Sequence, residues 1–221
     1  MAISDLFSKR RKDEQTDADV AVVYPTRALA KFLSGLAHAE QPLLLDLGPV
    51  VGANVSFFGE ELGCKILVEN LYAYVDRRAA AGTLTELAGS LDARLTQADG
   101  SVDGILCWDL FDYLDRAGAQ ALAKRLVRML KPDGVLLGYF ANSAPAPNQA
   151  AHFTKYVVVD RGQLEYRSYP TACGRQQPLP NRDIQRNFEP LRITEQFLMK
   201  NNVREILFRK PAAAPDQTPS S

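Results

Sequence analysis

The chain has 221 residues, 46% of them hydrophobic and 24% charged, and its 26 basic and 26 acidic side chains cancel to a formal net charge of zero. That length suits one medium α/β domain, and the balanced charge lacks the basic excess of a protein that grips nucleic acid through its backbone. No stretch reaches the roughly 20 apolar residues of a membrane span, and the charged run from Ser8 to Glu14 follows a short apolar start, the reverse of a secretion signal.

Residues 1–18 are polar and read as a disordered tail. Residues 25–38 carry apolar side chains at helical spacing, with Pro25 at a suitable first helical position. Residues 42–47 form a continuous apolar run ended by Gly48, which suits a strand buried on both faces. A helix over 53–62, a strand over 64–69, a helix over 71–81 and a further helical stretch over 83–91 follow. Residues 102–108 read as a strand. Residues 116–130 read as an amphipathic helix capped by Asp115 and stopped by Lys131-Pro132-Asp133-Gly134, and 135–140 as another strand. This alternation predicts a parallel sheet with right-handed crossovers and helices on both faces.

The last third reads differently. A β-hairpin is predicted at 156–167 around Asp160-Arg161-Gly162, within an insertion of about 153–170. A Pro/Gly/Cys-rich loop and a short helix capped by Asn181 follow. Residues 191–199 and 203–208 flank Lys200-Asn201-Asn202, a link that suits an antiparallel pair. Residues 211–221 read as a second tail, which leaves 19–210 as the domain. Cys64, Cys107 and Cys173 are odd in number and lie far apart, and only two histidines accompany them. No metal site is expected from this set, and a reducing cytoplasm suits it.

The loop after the first buried strand carries the functional signal. The strand ends in Asp46, Gly48 and Gly52 follow, and Glu69 ends the next strand 23 residues after Asp46. Glycines let a ligand approach the backbone, a helix N-terminus offers unpaired N–H groups, and an acid at that distance accepts ribose hydroxyls in nucleotide-binding α/β folds. A plain strand-to-helix turn would also use Gly48. An NAD-dependent oxidoreductase is a further reading, although residues 48–53 read GPVVGA where a dinucleotide turn wants GxGxxG.

The stretch Asp46-Leu47-Gly48-Pro49-Val50-Val51-Gly52 resembles the first motif of class I S-adenosylmethionine-dependent methyltransferases. Leu67-Val68-Glu69 is similar to that family's second strand with its ribose-binding acid. Residues 91–103 resemble the stretch from an adenine-contacting Asp to a "DGSFD"-like turn, and residues 130–137 its "LKPGG" turn into the fifth strand. The resemblance covers about residues 25–210. It implies a three-layer Rossmann-like methyltransferase fold with a mostly parallel seven-stranded sheet and an antiparallel last strand, here with a β-hairpin inserted after strand five. It further implies S-adenosylmethionine as cofactor and methyl transfer to a small-molecule acceptor. Asp46, Gly48 and Gly52 would face the methionine part, Glu69 with Asn70 beside it the ribose, and Asp92 and Ala93 the adenine. Trp108 and Asp109 would line the pocket beside the reactive methyl group.

The chain departs from that pattern at Val50, which stands where the family has its central glycine, and at Pro49, which removes a donor. A catalytically inactive methyltransferase-like binding or assembly protein is therefore the alternative to an enzyme. His152, Asp109 and Tyr113 are the candidate catalytic groups. Arg175, Arg182 and Arg186 could take an acidic group or form a solvated face. The hairpin could shape a substrate pocket or make a homodimer contact.

Overall fold

The computed structural model describes residues 22–146 and 150–212. The disordered tails expected at 1–18 and over most of 211–221 lie outside the described residues.

Six strands form the main sheet in the order β3-β2-β4-β5-β9-β8: β2 (Leu43–Asp46), β3 (Lys65–Val68), β4 (Val102–Trp108), β5 (Leu130–Ala141), β8 (Arg192–Leu198) and β9 (Val203–Arg209). β3, β2, β4 and β5 run parallel, while β9 lies antiparallel between β5 and β8. A second, antiparallel sheet has the order β1-β7-β6, from β1 (Val22–Pro25), β6 (His152–Asp160) and β7 (Gln163–Pro170).

Helices and the small sheet cover the two faces. α3 (Leu71–Ala80), α4 (Leu87–Arg94), α5 (Arg116–Met129) and α6 (Asn181–Asn187) bury one face against Leu45, Ile105, Cys107, Leu136 and Phe140. The other face places Leu44, Leu106, Trp108, Leu137 and Tyr139 against α1 (Ala28–Leu36), the turn containing Phe57 and Phe58, and hairpin residues Tyr156, Val158 and Leu164. Successive residues of β4 alternate between these cores, as the pleat demands. α1 lies so close to β4 that a Cβ on Gly104 would meet Leu36 at 2.4 Å. α5 buries Ala119, Leu122, Ala123, Leu126 and Met129 at helical spacing, and Asp115 caps it by accepting from the Gly118 N–H at 2.7 Å.

Four expectations need correction. The main sheet has six strands among the described residues, not seven. Residues 95–97 join no ladder; the carbonyls of Leu95, at 2.8 and 3.1 Å, and of Gln97 accept from Arg125 instead. Pro25 ends strand β1 instead of opening a helix, and α1 begins three residues later. Asn181 is the first helical residue of α6, with Pro180 at the cap. The helix after Gly52 runs as α2 (Gly52–Val55) and then widens into a π-helical turn, Ser56–Glu61.

Candidate functional site

The carboxyl ends of β2, β3 and β4 lie side by side, and the candidate residues gather there. Asp46 is the last residue of β2 and is 3% exposed. Burial pushes its carboxyl up to about 6, against the lowering effect of two donors. Its Oδ1 accepts the Gly48 N–H at 2.8 Å and the Trp108 Nε1–H at 2.7 Å.

Trp108 ends β4 with a left-handed φ of 49°. Its indole lies over Gly48, so that a Cβ there would stand 2.8 Å from the ring. The glycine is thus required by the protein's own tryptophan. The indole then stacks on Tyr156 of the hairpin, at 5.2 Å and 6°, and on Tyr139 at 5.9 Å and 26°. Buried Asn54 ties the hairpin to the loop, donating to the Tyr156 carbonyl at 2.9 Å and accepting from the Val158 N–H at 2.8 Å. Trp108 is 2% exposed.

Glu69 follows β3, and its N–H bonds the Asp46 carbonyl at 2.8 Å, which sets the two acids together. Its carboxylate accepts from Arg94 and from Gln97, and Arg94 also donates to the Glu69 carbonyl. Asn70 adopts a left-handed conformation and caps α3 by accepting from the Ala73 N–H at 3.2 Å. At the outer end of the loop, a Cβ on Gly52 would meet nothing within 4 Å, and Val50 is 65% exposed.

Asp92 and Ala93 do not join this group. Asp92 lies on α4 with a side chain 71% exposed and pairs with Arg128 at 3.0 Å. Ala93 sits within the same helix, where a backbone N–H bonds the carbonyl four residues back.

A second polar cluster lies beyond Trp108. Buried Asp109 accepts from Tyr72 and from Arg175 Nη2 at 2.6 Å. The Tyr113 hydroxyl donates to the His152 carbonyl at 3.0 Å and accepts from Arg175 Nε at 3.4 Å. Burial and the charge of Asp109 push both tyrosine hydroxyls far up, so they remain protonated. Burial is the largest single influence on Arg175 and pulls it down, but Asp109, Tyr113, Tyr156 and Asp112 together outweigh it and hold the guanidinium charged. Asp112 is pushed up to about 7, by burial first and by Asp109 second, while it accepts the Ala141 N–H at 3.0 Å. His152 contributes only its carbonyl here, and its ring Nδ1 lies 3.2 Å from the Ala150 carbonyl at the surface.

Of the three clustered arginines, only Arg175 enters this cluster. Arg182 and Arg186 pair with Asp183 at 3.8 and 3.0 Å. Sequence reasoning missed Tyr72, Arg94 and Gln97. Tyr72 stands three residues after Glu69 on the first turn of a helix, which is the available signal. The loop after β7 is pinned to α3, where Asp76 accepts from the Ala172 N–H at 2.7 Å and from Thr171. Among the described residues no group of His, Cys, Asp and Glu could hold a metal ion, and no helix is long and apolar enough to cross a membrane.

No protein-family profile matches the chain, and no curated protein matches it. Solved structures do. An S-adenosylmethionine-dependent methyltransferase from Clostridium acetobutylicum is similar over 96% of this chain and 100% of its own, with a TM-score of 0.50 and 12% identity. The 1,6-didemethyltoxoflavin-N1-methyltransferase of Burkholderia thailandensis, crystallised with its substrate and S-adenosylhomocysteine, matches at 0.48 and 15% identity over 94% of this chain and 86% of that one. The N-methyltransferase NodS of Bradyrhizobium japonicum, also in complex with S-adenosylhomocysteine, matches at 0.47 and 18% over 83% and 85%. The first of these, with the sheet order described above, establishes a mixed α/β fold of the Rossmann-like methyltransferase type.

Asp46, Gly48 and Glu69 stand together at the carboxyl edge, and a Cβ on Gly52 would meet open space there, an arrangement consistent with S-adenosylmethionine. Within it Asp46 Oδ1 already holds the Trp108 Nε1–H, and the Glu69 carboxylate holds Arg94 and Gln97.

Proposed function

We propose that this chain is a methyltransferase-fold domain whose own side chains have taken over the cofactor's contacts, so that it works as a catalytically silent binding or assembly protein. The observation that carries this reading is the Trp108 indole, seated on Gly48 with its N–H in the Asp46 carboxylate. A buried carboxylate is satisfied when its donors are already in place. Both donors fall on Asp46 Oδ1, and the indole is further held by its stacking on two tyrosines. The three free cysteines are all buried, which suits a reducing cytoplasm.

A second reading is S-adenosylmethionine-dependent methyl transfer to a small-molecule acceptor. It is favoured by the way Asp46, Gly48 and Glu69 converge at one end of the sheet. Calorimetric titration with S-adenosylhomocysteine separates the two. The first reading predicts no saturable heat at millimolar ligand, whereas tight, stoichiometric binding would establish the second.

A further inference from the structure

Far from the glycine loop, the start of α1 meets the β8–β9 turn in a groove of about 540 Å³. Tyr24, Pro25, Leu198 and Met199 supply apolar walls. Leu198 is 64% exposed at the end of an edge strand whose other apolar residues, Ile193 and Phe197, are partly covered. A large apolar side chain left in water beside a concave surface marks a place where something else packs. Two cations, Arg27 and Lys200, complete the rim.

Neither cation has an ion-pair partner among the described residues. The Arg27 guanidinium rests 4.4 Å above the Phe197 ring. Neighbouring acids are engaged elsewhere. Glu205 is fully buried behind the groove and accepts the backbone N–H groups of Arg27 and Ala28 at 2.8 and 2.9 Å. Glu195 lies 3.9 Å from Lys31. The groove therefore offers an apolar floor beside two exposed cations, Arg27 stacked on Phe197 and Lys200.

We propose that this groove binds a small amphipathic anion, an alkyl or aryl carboxylate whose apolar body lies on Leu198 and Met199 and whose carboxylate meets Arg27 and Lys200. The volume falls in the range that takes a small molecule, roughly 300–1,000 Å³. The charge favours an anionic head over a neutral one. The site is independent of whether the glycine loop binds a cofactor.

The test uses the full chain with methyl-labelled methionine, titrated with decanoate and followed by nuclear magnetic resonance. Of the three methionines, Met199 lines the groove and Met129 is fully buried. The Met199 methyl should shift saturably, with Kd on the order of 0.1 mM, while Met129 stays in place. Decanol should bind at least several-fold more weakly. Arg27→Ala and Lys200→Ala should each weaken decanoate about two- to fivefold, as expected for exposed charges, and Leu198→Asp should abolish it with an unchanged circular dichroism spectrum. The proposal is overturned if Met199 does not respond, or if decanol and decanoate bind alike. A Met199 shift that appears only after deletion of residues 1–21 also overturns it, by assigning the groove to the chain's own terminus.

Discussion

The carboxyl edge of the main sheet and the groove beside β8 differ in what they leave uncommitted. At the edge, Asp46, Glu69 and Asp109 each accept from protein donors, and the tryptophan and tyrosine rings close over them. At the groove, Arg27 and Lys200 make no ion pair among the described residues, and Leu198 is exposed. A glycine motif marks where backbone comes close to something, and here that something is Trp108. The edge is not fully satisfied, since Gln97 Oε1 is buried beside Glu69 without a hydrogen-bond partner.

The contrast can be broken from the closed side. The largest loss is expected from Arg175→Ala, which leaves Asp109 buried without its cation and should cost about 3–5 kcal/mol in urea unfolding. A loss under about 1 kcal/mol would show that the second cluster is not closed. Trp108→Ala should cost about 3–5 kcal/mol by opening a cavity beneath the hairpin and removing a donor from Asp46. A near-neutral result would mean that the indole does not hold the site shut.

The pH dependence sharpens the same point. Asp46 is raised to about 6, so the folded state holds a proton that the unfolded state has released between about pH 4 and pH 6. Its contribution to stability is present below pH 4 and is lost as pH rises through 6. The loss is on the order of 3 kcal/mol. Asp46→Asn keeps the acceptor and should flatten the slope in that window relative to the parent chain; an unchanged slope would place the titration elsewhere. The smallest effect belongs to Arg94→Ala, about 1 kcal/mol or less, because the pair with Glu69 is partly open to solvent.

What could be read from the sequence was local. The apolar runs of β2 and β4, the period of α5 with its Asp115 cap and the hairpin at Asp160-Arg161-Gly162 need only near neighbours, and all are present. The convergence of Asp46, Gly48 and Glu69 was legible because a parallel β2–β3 pair brings strand ends together. Contacts made across long stretches of chain were not. The bond from Trp108 to Asp46 spans 62 residues. Strand β1 forms by pairing with β7, from Val22 opposite Tyr166 to Pro25 opposite Gln163. The bonds from Arg125, on a helix that read simply as amphipathic, to the carbonyls of Leu95 and Gln97 likewise span 30 and 28 residues.

Trp108 is the only tryptophan in the chain, so its fluorescence reports directly on the central claim. Titration with S-adenosylhomocysteine should leave the emission of this 2% exposed indole unchanged in wavelength and in its resistance to acrylamide quenching. A saturable red shift with increased quenching would show the ligand displacing the indole from Gly48, and would contradict the account.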